Sequence, residues 1–295
     1  MTSPPVVSNR YGYFELAEKP TAESLREYYE RKYYQQSQAT YAKEYEDREI
    51  RYFLNKLEQK HVAASGLLKA PAAHGRRFLD VGAGEGWALR YFSEKEWDCL
   101  GLDYSDFGCR QHNPEQLPRL RTGDMQASVA ALAADSRQFD LVLLDNVLEH
   151  VLDPLALLRE LRGLVADGGV LIVEVPNDFS ILQTRLLEAG DIPEPFWVVA
   201  PDHISYFNRT GLEALARDAG WKTAAVMGGF PIDINLLNPD TNYIRNRALG
   251  KRCHFARVEF ENLLHDISPQ LTNELYRVMA DMGLGRELIA FFNLD

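Results

Sequence analysis

The sequence of 295 residues predicts an α/β fold in which an open, mostly parallel sheet carries helices on both faces. Short apolar runs suited to fully buried strands, such as Val170–Val175, alternate with segments of helical periodicity. A glycine-rich turn also follows one of these strands and precedes a helix, and in such sheets this turn is where nucleotide-like ligands bind. Together these observations predict one main ligand-binding domain with elements added at both ends.

The glycine-rich turn lies in residues 77–87, Arg-Phe-Leu-Asp-Val-Gly-Ala-Gly-Glu-Gly-Trp. Glycine adopts positive φ angles without strain and lets a ligand approach the backbone closely. A dinucleotide fingerprint, G-x-G-x-x-G, would require a glycine at position 87, where Trp87 stands. The spacing therefore argues against a nicotinamide oxidoreductase, although that class stays open until NAD binding is tested.

Two acidic residues follow the turn at informative distances. Residues 97–103 read as a second strand that ends in Asp103, and an acid about 20 positions after the glycines can hydrogen-bond a ribose diol. Further along, Asp124 and Met125 follow a glycine. The alternative for this second pair is a plain turn.

The next strand and helix are the clearest of the chain. The apolar run from Phe139 to Asp145 suits a strand buried on both faces, and Asp153 with Pro154 gives an N-cap and a proline at the first helical position. Leucines at helical spacing then run to Val165, and a turn at Asp167-Gly168-Gly169 leads into the strand that Pro176 stops.

These segments, as a set, resemble motifs I to III of class I S-adenosylmethionine (SAM)-dependent methyltransferases. The resemblance covers about residues 75–230. Within this class, the segments are similar to those of the group that includes ubiquinone-pathway O-methyltransferases and surface-polysaccharide or sugar methyltransferases. It implies a Rossmann-like seven-stranded sheet, SAM as cofactor, and adenine contacts from Asp124 and Met125. The cofactor-binding residues that it implies are Asp80, Gly82, Ala83, Gly84, Gly86, Asp103, Tyr104, Asp124, Met125, Asp145 and Asn146.

The chain is predicted to divide into four segments: an N-terminal, Tyr-rich helical cap (1–70), the SAM-binding core (71–230), a helical insertion (231–287) and a last core strand (288–295). In the cap, Thr21 can begin one helix and a second spans roughly 41–60. The core includes an aromatic loop over 177–208. Residues predicted to cover the cofactor or contact the acceptor are Tyr33, Tyr34, Tyr41, Trp197 and Tyr206. The alternative is that the tyrosines half-bury against the sheet.

The insertion separates the sixth strand, Thr223–Met227, from the final strand by about 60 residues, where this fold normally has a short turn. Helices are predicted from Ala256 to His265 and from Ser268 to Met279. We expect this segment to complete the acceptor pocket and to contribute to a homodimer contact.

Two histidines are the candidate general bases, because an unperturbed imidazole titrates near neutrality. His150 follows the fourth strand and His203 lies in the aromatic loop. A divalent metal is the alternative, since Asn146-x-x-Glu149-His150 with His203 resembles a Glu-x-x-Glu-His cation site. Asn146 replaces the first carboxylate there, which weakens that prediction. Each histidine could instead serve a purely structural role.

Composition limits the partners. The net charge of −11 argues against a nucleic-acid footprint, no apolar run approaches the length of a membrane span, and three cysteines without paired spacing suit a cytoplasmic protein. The predicted function is O-methylation of a small-molecule or sugar acceptor, either a nucleotide-sugar or a surface polysaccharide. The alternatives are C- or N-methylation of a natural-product or quinone-type acceptor, and a non-catalytic SAM-binding regulatory protein.

Overall fold

The computed structural model describes residues 4–31, 44–69 and 75–294. The strands are β1 (Val6–Ser8), β2 (Phe14–Leu16), β3 (Arg77–Val81), β4 (Asp98–Asp103), β5 (Leu120–Thr122), β6 (Phe139–Asp145), β7 (Val165–Pro176), β8 (Ser205–Tyr206), β9 (Trp221–Gly228) and β10 (Glu287–Leu294). The α-helices are α1 (Ala22–Arg31), α2 (Asp47–Ser65), α3 (Trp87–Glu94), α4 (Phe107–His112), α5 (Met125–Ala134), α6 (Pro154–Leu161), α7 (Ile181–Glu188), α8 (Arg209–Asp218), α9 (Gly250–Ile267) and α10 (Pro269–Asp281).

Within these residues, a seven-stranded sheet has the order β5-β4-β3-β6-β7-β10-β9. Strands β3 to β7 pair in parallel, whereas β10 runs antiparallel to both of its neighbours. Because β10 runs the other way, its first residue lies at the edge where the parallel strands end. The predicted α/β class with a seven-stranded sheet is confirmed.

The sheet is buried on both faces, as the apolar strands predict. One face packs against a cluster that includes Leu157, Leu161 and Leu215 from α6 and α8. The other face packs against a cluster that includes Leu57 from α2 and Leu89 from α3. The helices therefore cover both sides and leave the strand ends for ligands.

A second, three-stranded sheet in the order β1-β2-β8 ties the N-terminus to the loop after β7. Tyr13 beside β2 is 2% exposed and its ring lies 4.5 Å from that of Phe207. Thr21 caps α1 as predicted, since its Oγ1 accepts a hydrogen bond of 3.1 Å from the amide of Ser24. The predicted cap residues Tyr33, Tyr34 and Tyr41 lie outside the described residues.

Before β7, two helices have boundaries other than those predicted. The second helix spans Asp47–Ser65 rather than 41–60, because Glu46 forms a capping box with Glu49 and begins the helix there. Helix α6 ends at Leu161, so Val165 belongs to β7 and the predicted turn at 167–169 lies inside that long strand. Buried leucines continue across this junction, and periodicity alone does not show where helix gives way to strand.

The segment between β9 and β10 is largely helical, as predicted, but its first helix is longer than expected and begins at Gly250. Ser268 begins the next helix by accepting a hydrogen bond of 3.2 Å from the amide of Leu271. Among the described residues no helix is both long and apolar enough to cross a bilayer.

Candidate functional site

The glycine turn after β3 contains two glycines with different roles. Gly82 and Gly84 both have positive φ, 88° and 51°. A Cβ on Gly82 would lie 2.4 Å from Cγ2 of Val147, whereas a Cβ on Gly84 would meet nothing nearer than a backbone oxygen at 4.0 Å. Packing against Val147, two residues after β6, therefore requires Gly82, and Gly84 borders open space.

Asp103 connects the turn to the end of β4. Its Oδ2 accepts a hydrogen bond of 2.8 Å from the amide of Gly84, and its Oδ1 accepts one of 3.0 Å from the amide of Ser105. Burial raises the pKa of the Asp103 carboxyl, while these backbone donors oppose the rise. The acid predicted to bind ribose therefore also orients the glycine turn.

A cavity of about 580 Å³ opens beside the turn, at the edge where β3, β6 and β7 end. Six of the predicted cofactor residues line it: Asp80, Gly82, Ala83, Gly84, Asp145 and Asn146. The other five, Gly86, Asp103, Tyr104, Asp124 and Met125, do not. The predicted cofactor residues therefore form two groups, one at the cavity and one around the ends of β4 and β5.

In the second group, Asp124 is the N-cap of α5 and accepts a hydrogen bond of 2.8 Å from the amide of Ala127. Met125 is buried beneath it, while Tyr104 is 44% exposed. Gly86 precedes α3 with a φ of 80°. Three of the five positions, Gly86, Asp103 and Met125, are buried, and none of the five lines the cavity.

A buried ion cluster at the cavity was not predicted. Lys60 of α2 forms ion pairs with Asp145 and with Glu174. The Nζ of Lys60 lies 2.8 Å from Oε2 of Glu174. The Lys60 side chain is 4% exposed, and despite burial the two carboxylates raise its pKa. One signal existed in the sequence: Glu174 interrupts the otherwise apolar run of β7.

The cavity floor is acidic. Burial, together with the nearby charges of Asp145 and Asp103, raises the pKa of Asp80 to about 8. Burial also raises the pKa of Glu174. Raised carboxyl pKa values in a concave site favour a ligand that brings positive charge.

The opposite wall of the cavity was also not predicted. It includes Tyr52 and Lys56 of α2, Arg257 of α9 and Glu287, the first residue of β10. Arg257 donates to the hydroxyl of Tyr52, and its Nη2 lies 3.4 Å from Oε1 of Glu287. This wall joins α2 to α9 and to the start of β10.

The two candidate bases come together but do not line the cavity. His150 lies in the short 3₁₀ turn Leu148–His150 after β6, and its ring centroid is 4.9 Å from that of His203. The Nδ1 of His150 lies 2.7 Å from the carbonyl oxygen of Asp202. The sequence therefore identified two histidines that are neighbours in space.

Glu149 completes a cluster with these histidines. One ligand atom from each of the three lies within 4.8 Å of the others, and the Glu149 side chain is 1% exposed. Among the described residues, neither carboxylate oxygen of Glu149 has a hydrogen-bond partner outside Glu149 itself. Burial, with the charge of Asp178, raises the pKa of this carboxyl well above its usual range. The donor set of one carboxylate and two imidazoles suits several divalent cations.

Trp197 and Tyr206, predicted to contact the acceptor, are buried in a third apolar cluster with Leu16 and Leu186. The hydroxyl of Tyr206 donates a hydrogen bond of 2.9 Å to the carbonyl of His203. Tyr206 therefore supports the backbone beside a candidate base, and neither ring lines the cavity.

Comparison with known proteins bears on this site. A family model described as a methyltransferase domain matches residues 42–226. A probable S-adenosylmethionine-dependent methyltransferase of Mycobacterium tuberculosis is 28% identical over 161 residues, which cover 55% of this chain and 54% of that protein. A ubiquinone biosynthesis O-methyltransferase of Cereibacter sphaeroides is 32% identical over 120 residues, or 37% of this chain and 45% of that protein.

The chain spans about half the length of the curated relatives it matches. A solved SAM dependent methyltransferase from Archaeoglobus fulgidus aligns with a TM-score of 0.49 at 15% identity, covering 81% of this chain and 93% of that one, which is too distant to add to the assignment. The family match includes the glycine turn, Asp103 and both histidines of the cluster. The chain therefore belongs to the family of S-adenosylmethionine-dependent methyltransferases.

Proposed function

We propose that this protein transfers the methyl group of SAM to a hydroxyl group of a small-molecule acceptor. The observation that carries the proposal is the cavity that opens at Gly84, beside a floor of buried carboxyl groups. A glycine turn that borders open space and leads into a helix is the feature this family requires for its cofactor.

The residues at the cavity fit SAM, which carries a sulfonium and an ammonium charge at its methionine end. The lining contains five carboxyl groups and three cations, so a ligand of positive charge improves its balance. Asp80, whose pKa is about 8, would become ionised beside such a ligand. The volume of about 580 Å³ also lies within the range of small-molecule sites.

The two groups of predicted residues suit the two ends of the cofactor. Asp103 would accept hydrogen bonds from the ribose, with Asp124 and Met125 against the adenine and Tyr104 at the exposed edge. Asp80, Ala83, Asp145 and Asn146 would surround the methionine end. Gly82, Gly84 and Gly86 would let the cofactor approach the backbone.

When bound, SAM supplies an activated methyl carbon; the protein must orient the acceptor and remove its proton. His150 and His203 are the proposed bases. If Nδ1 of His150 carries the hydrogen that Asp202 accepts, Nε2 is the nitrogen that can take a proton. The carbonyl would then hold the ring in this tautomer.

A sugar, nucleotide-sugar or surface polysaccharide is the proposed acceptor class. The names of two relatives give different acceptors: one is the ubiquinone biosynthesis O-methyltransferase, and the other is a trans-aconitate 2-methyltransferase of Methylobacterium radiotolerans, 30% identical over 145 residues. C- or N-methylation and SAM binding without catalysis remain the alternatives. We place this activity in the cytoplasm, in a homodimer, without nucleic acid or membrane insertion.

Substitution of Asp103 tests cofactor binding. We expect Asp103→Ala to weaken SAM binding by about 1–3 kcal/mol, because ribose hydroxyls lose a charged acceptor. Isothermal titration calorimetry measures the change. Asp98→Ala, at the exposed start of the same strand, is the matched control and should bind like the wild type. Equal SAM affinity in Asp103→Ala and wild type would contradict the assignment of Asp103 to the ribose.

Substitution of the histidines tests catalysis. We expect His150→Ala or His203→Ala to lower kcat by about 10²–10⁴, the contribution of a general base, with SAM affinity near that of the wild type. His265→Ala, in α9 away from the cluster, is the matched control. Wild-type turnover in both cluster variants would exclude a histidine base.

A divalent cation at Glu149, His150 and His203 is the second candidate, favoured by their ligand atoms lying within 4.8 Å of one another. These three residues would hold the ion, which would lower the pKa of an acceptor hydroxyl. Here Glu149→Ala should match the histidine variants in activity loss. A chelator should inhibit the wild type, and metal analysis should find a stoichiometric ion. Full activity in chelator would exclude this candidate.

A further inference from the structure

The cavity beside the glycine turn has two walls of different origin. One comes from β3 and β6 and includes Asp80, Gly84 and Asp145, all within residues 42–226 of the family match. The opposite wall contains Arg257 and Glu287, which follow that match. Residues needed by every member for the shared cofactor are expected inside the matched region. Tyr52 and Lys56 of this wall lie inside it, but Arg257 and Glu287 do not and are available for a ligand particular to this protein.

The cavity also has room beyond the cofactor. The residues proposed to hold ribose and adenine, Asp103 and Asp124, do not line it. If they hold the nucleoside, the cavity of about 580 Å³ receives only the methionine end. The remaining space lies against the wall of Tyr52, Arg257 and Glu287.

The charges of this wall are already balanced. Nε of Arg257 lies 2.7 Å from Oε1 of Glu261, and Nζ of Lys56 lies 3.5 Å from Oε2 of the same buried carboxylate. Nη2 of Arg257 also reaches Glu287. Because each cation has an anionic partner and the cavity holds an excess of acids, a negatively charged acceptor gains little here.

What the wall offers is hydrogen bonding and ring faces. Arg257 and Glu287 both line the cavity, and their side chains are 14% and 16% exposed. A hydroxyl group can donate to a carboxylate and accept from a guanidinium at once. The rings of Phe53 and Trp87, 5.5 Å apart, line the cavity together with Tyr52 and can pack against C–H faces.

We propose that this wall is the acceptor subsite, and that Arg257 and Glu287 bind hydroxyl groups of an uncharged, polyhydroxylated acceptor. The inference rests on the proposed methyl transfer and narrows its acceptor: it favours a neutral sugar unit over one whose phosphate must enter the cavity. Glu261 acts as a positioning residue, since it holds Arg257 and Lys56 from behind.

The experiment titrates protein loaded with S-adenosylhomocysteine with a panel of methyl glycosides of neutral hexoses and with hexose 1-phosphates, by saturation-transfer NMR and calorimetry. We expect a neutral glycoside to bind, and Glu287→Gln and Arg257→Lys to weaken it about 10- to 100-fold, the value of a charge-assisted hydrogen bond. Affinity for S-adenosylhomocysteine should stay within about twofold. Glu259→Gln, an exposed position of α9, is the matched control.

Each other outcome overturns the proposal. Tighter binding of hexose phosphates would mean that the wall recognises anions. Parallel loss of S-adenosylhomocysteine affinity in both variants would assign the wall to the cofactor, and no binding by any glycoside would exclude the acceptor class. Failure of the wild type to bind S-adenosylhomocysteine is a separate result, which would reject the proposed function itself.

A different observation concerns the outer faces of α9 and α10. Their buried positions are largely polar and include Glu261, Asn262, Thr272 and Asn273. Their exposed positions carry an apolar stripe, with side chains between 38% and 67% exposed: Phe260, Leu263, Ile267, Leu271, Leu275, Val278 and Met282. The spacing of three and four residues puts each run on one helix face.

The stripe has the size of an interface core. Seven half-exposed apolar side chains present on the order of 350 Å² of apolar area. A standard interface buries about 800 Å² per partner, of which somewhat more than half is apolar. Two adjacent helices with such stripes can pack against the same pair in a second copy, because a twofold contact needs one self-complementary patch. We infer that α9 and α10 form a homodimer contact.

Sedimentation velocity at micromolar concentration tests this contact. We expect a dimeric wild type, and a monomer in the double variant Leu271→Glu/Val278→Glu, whose charges would be buried in the contact. Circular dichroism should show unchanged folding, since both positions are exposed. Val7→Glu, an exposed apolar position in β1, should remain dimeric. A monomeric wild type, or a dimer that survives the double variant, would overturn the inference.

Discussion

Gly84→Val is expected to abolish SAM binding while the sheet stays folded. A Cβ at Gly84 meets no atom nearer than 4.0 Å, so the branched side chain enters the cavity rather than the core. The cost to folding is the positive φ of 51°, about 1–2 kcal/mol for a residue with a Cβ. The cofactor's path to the backbone is closed, and we expect an affinity loss of more than about 100-fold by calorimetry.

Gly190→Val is the matched control for the backbone strain. Gly190 has a φ of 71°, a Cβ there would meet no atom within 4 Å, and the residue does not line the cavity. Its variant should lose similar thermal stability but bind SAM normally. Unchanged SAM affinity in Gly84→Val would place the cofactor elsewhere and would remove the main support for the proposed site.

Lys60→Met is expected to destabilise the protein by about 3–5 kcal/mol, because it leaves the buried Glu174 and the half-buried Asp145 without their cation. Chemical denaturation measures the loss. Lys69→Met is the matched control, since its ion pair with Asp167 is exposed and is worth about 0–1 kcal/mol. Equal stability of the two variants would show that the ion pairs of Lys60 contribute no more to stability than the exposed ion pair of Lys69.

The loss in Lys60→Met should depend on pH. Without Lys60, the pKa of buried Glu174 rises further above its ordinary value, so the folded variant keeps a proton that the unfolded chain releases. Its free energy of unfolding therefore falls as pH rises from about 4.5 toward the raised pKa. In the wild type, the raised pKa of Lys60 keeps its contribution constant over this range. We expect a smaller deficit at acidic pH than at alkaline pH.

The parts of the site that the sequence predicts best are those formed by neighbours along the chain. The turn at Gly82 and Gly84 follows from a strand, three glycines and a helix start, and Asp103 is one strand further on. His150 and His203 can be paired because both follow strands that end at the same edge. Parallel strand direction makes that inference possible.

The opposite wall could not be predicted in this way. Tyr52 and Arg257 are about 200 positions apart, and their contact depends on how α9 packs against α2. Hydropathy marks Lys60 and Arg257 as solvent-facing, although long-range ion pairs bury both. The composition of the aromatic loop suggests a binding loop, but the structure packs its Trp197 and Tyr206 in a buried apolar cluster.

The reversed direction of β10 has a consequence for how acceptor preference can change. Residues that precede an antiparallel strand in this position lie at the edge of the sheet that carries the glycine turn, as Glu287 does. The length and sequence of residues 230–286 can therefore change without altering the residues proposed to bind the cofactor. Replacing this one contiguous segment would then change the acceptor preference. A chimaera that keeps residues up to β9 and takes the following segment from a relative should keep its affinity for SAM and methylate the acceptor of that relative.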